Sequence, residues 1–400
     1  MEQWILQDIC KIYDCPHTTA KDEGLGMPLV RTPNVGKGRL NLTNVHRVSS
    51  EVYKERTVRA IPEEDDIIIA REAPVGNAAI IQKGQIVCLG QRVVLLKPNK
   101  DLVDPNFLVY YLLSNEVQHR LRIQANGAVV AHLNVADIRN LTISLPPLYE
   151  QKRIGKSLKI IDDKIDLNRR INDNLEQQAQ ALFKSWFVDF EPFKDGKFVD
   201  SEMGMIPEGW RVVFCGDVTY QEKEKVGSQT DLKVLSPVSS GELMLSEEYF
   251  TKQVFSENTA KYIIVKPNSF AYNPARVNIG SIGRNCFSFC GCVSPVYVVF
   301  SCEEGYHYFF DIYRQQPSFK EEVMMRSIGG VRQTLSYADF SLIRIVYPPK
   351  DVVLEFNAIL TKLLNIQTSN SCESIKLALL RDTLLPKLMS GELTISSSNK

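Results

Sequence analysis

From Leu148 onward the chain sets down side chains in alternating four- and three-residue steps. Ile154, Leu158, Ile161 and Ile165 lead to Asn168 and Asn172, and Leu175, Ala179, Leu182 and Trp186 follow. This spacing keeps one stripe of a helix turned toward a partner helix, the signature of a coiled-coil seam. A second stripe carries Phe356, Leu360, Leu363, Gln367, Asn370, Ser374, Leu377, Arg381, Leu384 and Leu388. Both stripes turn polar halfway. If the two helices run antiparallel, middle meets middle, and polar seam positions fix register at some cost in stability.

Elsewhere the pattern is shorter. Runs such as "DIIIA" (66–70) and "RVVLLKP" (92–98), bounded by Gly, Pro and Asn, predict strands. "NFLVYYLLSNEVQHRLR" (106–122) is amphipathic and predicts one helix inside the same domain. "YIIVKPNSFAY", "VSPVYVVF" and "YHYFFDIYRQQ" predict the same succession later in the chain. Between the two halves, "EPFKDGKFVDSEMGMIPEGW" is rich in Gly, Pro and charge and reads as a connector. Just ahead of it, Phe183, Trp186, Phe187, Phe190 and Phe193 predict a small aromatic core where helix meets connector.

The two halves repeat one phrase. "LNVADIRNLTISLPP" (133–147) and "LSYADFSLIRIVYPP" (335–349) share L-x-x-A-D-[IF]-x-x-[LI]-x-I-x-x-P-P without a gap, at an offset of 202 residues. The correspondence extends upstream, where Gly127 and Val129 pair with Gly329 and Val331, and downstream through the helical stripes. A period this long is a domain, not a solenoid repeat of roughly 20–50 residues. The chain is a tandem duplication. Its expected divisions are a first globular domain at 1–147, a helix at 148–190 and a connector at 191–209. The second copy follows with a domain at 210–349, a helix at 350–391 and a flexible tail at 392–400.

Composition narrows the class. The 400 residues are 44% hydrophobic and 24% charged, enough to bury real cores, with Lys+Arg and Asp+Glu both at 47. Neutrality leaves room for a local basic surface but supplies no bulk attraction to nucleic acid. Nine cysteines without a paired framework read as free thiols of a reducing cytosol. The cluster Cys286, Cys290 and Cys292 lacks a second pair for a zinc site and reads as small residues of a buried strand, so no metal is expected. The N-terminus has no signal-peptide pattern and no apolar run is long enough to span a membrane, so a cytoplasmic protein is expected. Catalytic signatures are missing. No P-loop, G-x-S-x-G elbow or H-E-x-x-H occurs, and His17, His46, His119, His132 and His307 are scattered. "YNPAR" (272–276) departs from the N-P-P-[YF] motif of adenine methyltransferases at Ala275 and Arg276, and reads as a turn.

Several words resemble the specificity subunits of type I restriction-modification systems. They are "LPPLYEQKRI" (145–154), "LFKSWFVDFEPF" (182–193), "MGMIPEGW" (203–210) and "LLPKLMSGEL" (384–393). The second copy departs at "PPKDVVLEF", where that family often has P-P-x-x-E-Q. The resemblance covers the whole chain in order. It implies an α+β fold: two similar mixed α/β target-recognition domains joined by two long antiparallel coiled-coil helices, related by a pseudo-two-fold. Each domain would read one half of a bipartite, asymmetric double-stranded DNA site, and the helices would set the spacer and dock two methylation subunits. Those subunits would carry S-adenosylmethionine, and restriction subunits would add ATP and Mg; this chain would need no cofactor and no catalytic residue. A helix of 148–187 would span roughly 60 Å at 1.5 Å per residue, long enough to set two readers on successive grooves about 34–36 Å apart on one face of B-DNA.

Base reading needs donors and acceptors on loops that enter the major groove. In the first copy the candidates are Arg71 and Asn77 of "AREAPVGNAA", with Asn126 and His132 of "NGAVVAHLN". In the second they are Asn273, Arg276, Asn278 and Arg284 of "YNPARVNIGSIGR", with Arg332 and Gln333 of "GGVRQTL". Two other functions stay open on the residues alone. A degenerate methyltransferase or nuclease would bind S-adenosylmethionine or cut DNA unaided, and a coiled-coil scaffold would show no sequence-specific DNA binding.

Overall fold

The computed structural model describes residues 2–125, 131–229, 231–250, 255–256, 258–327 and 334–395. Contacts divide the chain into two compact units, Met1–Ile171 with Thr368–Lys400, and Asn172–Gln367. Both boundaries fall inside the long helices, which run Leu148–Phe187 and Lys350–Met389.

The first unit builds an antiparallel pair from Glu2–Ile5 and Thr142–Leu145, with Glu2 opposite Leu145. Pro146 and Pro147 follow at once, and the helix starts at Leu148. Proline suits this place because the first helical N–H groups have no partner inside the helix. The main sheet orders Cys10–Asp14, Val93–Pro98, Ile67–Ala70, Ala78–Ile80 and Gly38–Arg39, and a small sheet pairs Arg47–Val48 and Cys88–Leu89 with Met27–Val30. The apolar run at 106–122 forms two helices, Pro105–Leu112 and Asn115–Gln124, rather than the single expected one. Ser114, with ψ at 149°, breaks the helical path between them.

The second unit repeats the plan. Arg211–Phe214 pairs with Arg344–Tyr347, Arg211 lying opposite Tyr347, and Pro348 and Pro349 lead into the second helix. Its main sheet orders Thr219–Glu222, Val298–Cys302, Phe270–Tyr272 and Ile282–Arg284, the counterpart of the first four strands of the first unit's sheet. Helices His307–Tyr313 and Pro317–Arg326 are the counterpart of the divided pair. Cys292 lies buried in the strand Gly291–Val293, whereas Cys286 and Cys290 are exposed, against the expectation of one buried run.

Each core takes in both long helices. In the first unit, Ile154, Leu158 and Leu388 join Leu6, Ile67, Leu96 and Phe107. Gly155 makes this possible: a Cβ there would meet Asp104 Oδ1 at 2.5 Å and Phe107 N at 2.6 Å. A glycine costs about 1 kcal/mol inside a helix, offset here by the close approach. In the second unit, Phe183, Phe187, Val353, Phe356 and Leu360 join Trp210, Phe270 and Phe309. The aromatic cluster is therefore larger than the small core expected. Phe187 packs edge-on against Phe356 at 4.8 Å and Phe309 at 5.2 Å, within the domain's main core. Fully burying each such side chain is worth roughly 1.5–3 kcal/mol.

A buried ionic group ties the first unit together. Asp162, 3% exposed, accepts from Arg381 Nη1 at 2.7 Å and from the Tyr110 hydroxyl at 2.6 Å. Burial, then the Asp162 carboxylate, pushes the Tyr110 phenol far above its ordinary range, so it remains a donor. Asp162→Ala leaves the largely buried Arg381 with Asp382 as its remaining partner, so unfolding free energy should drop by about 3 kcal/mol. Asp382→Ala, at a far more exposed carboxylate, should change it by less than about 1 kcal/mol. Urea titrations of the two variants check the contrast, and equal losses would show that burial is not the cause.

Candidate nucleic-acid interface

In both units the main-sheet hairpin ends in a turn that carries sequence-chosen candidates. The first turn, between Ile67–Ala70 and Ala78–Ile80, holds Arg71 and Asn77. Arg71 points inward: Nε donates to Leu133 O at 2.8 Å and Nη1 to Asp14 Oδ1 at 3.1 Å. Its Nη2 lies 2.7 Å from His132 Nε2. A guanidinium only donates, so Nε2 is the acceptor, and Nδ1 then donates to Glu72 Oε1 at 2.8 Å. Asn77 Nδ2 donates to Val35 O at 2.9 Å. These three residues form the stem of the turn. Asn126 lies outside the described residues.

The second turn joins Phe270–Tyr272 to Ile282–Arg284. Asn273 Oδ1 accepts from Ala275 N at 3.0 Å and shapes the bend. Gly280 closes it with φ at 93°, where a Cβ would also strike Ser239 O at 2.7 Å. Arg276 and Asn278 are exposed, and among the described residues their side chains have no hydrogen-bond or ion-pair partner. Arg284 instead is buried; its Nε donates to Asp311 Oδ2 at 2.8 Å and Nη1 to Asn268 Oδ1 at 2.7 Å. Burial raises Asp311, yet Arg314 and Arg284 outweigh it and hold the carboxyl below its usual value. Burial and then Arg284 pull the nearby His307 imidazole down to about 4, against Asp311. Arg332 and Gln333 lie outside the described residues.

Strand pairing brings two further residues to these turns. Val93 pairs with Ala70, which sets Arg92 beside the first turn, where Nη1 meets Glu72 at 2.7 Å. Val298 pairs with Tyr272, which sets Tyr297 beside the second. The sequence signal was the residue just before the last strand of each sheet, readable only once the strands had been paired.

The seam positions sit on the less exposed faces of the helices. Within the first unit, Asn168 is fully buried, and its Nδ2 donates to Glu373 Oε2 at 2.8 Å. Ile154, Leu158, Ile161, Ile165, Leu377 and Leu384 are buried or half-buried there. Within the second, Asn172 Nδ2 donates to Gln367 O at 3.1 Å, and Gln367 Nε2 returns a bond to Asn172 O at 3.0 Å. Leu175, Leu182, Leu360 and Leu363 are buried or half-buried beside them. Among the described residues no three His, Cys, Asp or Glu side chains converge as for a metal ion, and no helix is long and apolar enough to cross a membrane.

Two domains of one design, each continued by a long helix, define a tandem-duplicated architecture. A crystal structure of a type I restriction-modification S subunit from M. genitalium has the same fold, with a TM-score of 0.56, 14% identity, and coverage of 97% of this chain and 95% of that one. Residues 1–177 match the family described as type I restriction modification DNA specificity domain. The MjaIX specificity subunit of Methanocaldococcus jannaschii is 26% identical over 377 residues, 90% of this chain and 83% of its own. The HindI specificity subunit of Haemophilus influenzae is 26% identical over 373 residues, 76% of this chain and 80% of its own. Over residues 1–177 the chain carries the type I restriction modification DNA specificity domain, and over most of its length it is similar to proteins named type I restriction enzyme specificity subunits.

The contrast between the turns has a measurable consequence. Arg71→Ala should destabilise the chain by about 2–3 kcal/mol, because it leaves the buried Leu133 carbonyl and the half-buried Asp14 carboxylate without their charged donor. Arg276→Ala should stay within about 0.5 kcal/mol. Chemical unfolding of both variants checks this, and an undisturbed Arg71→Ala would mean that the turn does not depend on its stem.

Proposed function

We propose that this non-catalytic subunit reads a bipartite, asymmetric site in double-stranded DNA, one half through each globular domain. The observation that carries the proposal is the pair of equivalent hairpin turns, built on the same strands and carrying different side chains. Two readers of one construction with different lettering suit two unlike half-sites. In the second domain Arg276 and Asn278 are available to DNA, and Asn273 and Arg284 hold the turn. In the first, Arg71, Asn77 and His132 hold the turn, with Arg92 exposed beside it. Asn126, Arg332 and Gln333, in the repeated phrase's approach, complete the candidate set.

The two long helices act as the ruler between half-sites and the seat of two methylation subunits. Those partners supply S-adenosylmethionine and methylate adenine; restriction subunits, where present, supply ATP- and Mg-dependent cleavage. The complex works in the cytoplasm, and this chain binds no cofactor. Co-purification with a methylation subunit, followed by genome-wide mapping of methylated adenines, tests the reading. A split asymmetric sequence is expected. Methylation or cleavage by the chain alone, or modification without sequence preference, would replace it with the enzyme or scaffold reading.

The polar seam yields a sharper expectation. Among the described residues the buried Oδ1 of Asn168 has no hydrogen-bond partner, so the polar middle costs stability. Replacing Asn168 and Asn172 with Leu should leave folding unchanged or raise stability by about 1 kcal/mol or more, while loosening register. Methylation assays on sites with altered spacers should then show broader spacer tolerance. An equally sharp spacer preference would remove the seam from the ruler.

A further inference from the structure

Beside the second turn lies a pit of 310 Å³ that no motif pointed to. Asn273, Arg276, Ser294 and Tyr297 line it with polar groups, and buried Leu235 and Tyr262 back them. Among the described residues that line it, Arg276 is the one cation and none is a carboxylate. Burial pushes the Tyr297 phenol up, while the Arg276 guanidinium beside it opposes the rise, so the hydroxyl remains a donor. An unpaired guanidinium and two hydroxyls around a concave surface, with the Asn273 side chain already hydrogen-bonded to Tyr297, make a donor-rich seat for an anion.

Shape decides which part of a duplex enters. Base edges lie recessed in the groove and are met by protruding side chains, whereas phosphates stand out from the backbone and fit concave sites. We infer that this pit clamps one backbone phosphate of DNA, and that base reading on this turn falls to exposed Asn278, independently of the clamp. The inference rests on the DNA-reading role of this domain, and it makes Arg276 a positioning contact instead of a base reader.

The test measures binding of the assembled methylation complex across roughly 50 to 200 mM salt. The duplexes are the mapped cognate site and versions with one base pair changed in each half. Arg276→Ala should weaken all of them by the same factor, lower the slope of log K against log salt by about 1, and leave the methylated sequence unchanged. Arg276→Lys should retain most of the slope, because an ammonium also pairs with phosphate. Tyr297→Phe, which keeps the ring and its packing, should weaken binding uniformly, and Asn278→Ala should relax one position of one half-site. A change of base preference in Arg276→Ala, or an unaltered slope and affinity, overturns the clamp. A wild-type complex that binds DNA without sequence preference overturns the proposed function but not the clamp, which the slope still reports. A wild-type complex without DNA affinity overturns both.

Discussion

Each long helix must bury an apolar stripe at both ends, and the rest of the architecture follows from that constraint. The first helix begins among Leu6, Leu96 and Phe107 through Ile154 and Leu158, and ends among Trp210 and Phe309 through Phe183 and Phe187. The second helix begins in the latter core through Val353, Phe356 and Leu360, and ends in the former through Leu388. Within either unit, one helix therefore arrives as the other leaves. The antiparallel sense needs no further cause. Where apolar burial runs out, midway, the side chains are Asn168, Asn172, Gln367 and Asn370, which answer one another's backbone and side-chain groups within each unit. Apolar ends supply stability, and the polar middle is of the kind that restricts register in coiled coils.

The joint that feeds each helix was legible in the sequence because it is made by local rules. An edge strand, Pro-Pro and an amphipathic helix start occupy neighbouring residues, and the duplication writes them twice. The long helices were equally legible from the 4-3 spacing. The break at Ser114 was not, because Leu113 and Ser114 fit a helical pattern. The reach of the aromatic cluster was also hidden. Phe183 and Phe187 meet Phe309 and Phe356 from more than a hundred residues away, a contact that helical periodicity does not encode.

The candidate interface was legible as loops but not as roles. Composition and turn signals picked out "AREAPVGN" and "YNPARVNIGS", yet an Arg on a turn reads alike whether it faces out or in. Arg71 and Arg276 illustrate this. The first is enclosed by Asp14, His132 and Leu133 O, and the second meets no partner among the described residues. Arg92 and Tyr297 reach their turns through strand pairing, which joins positions some 20 residues apart and leaves no local mark. The proposed function places recognition on these two turns, which share a scaffold and differ in their side chains.

The claim that the halves are interchangeable readers is tested most directly by methylation mapping with residues 1–200 in place of the whole chain. Without the second helix, the stripe from Ile154 to Trp186 lacks its partner, and another copy packed antiparallel is the nearest substitute. Two identical readers on such a two-fold should direct the methylation subunits to a palindromic split site, each arm matching the first half of the natural sequence. A folded monomer, or a dimer that modifies no palindrome, would contradict the account.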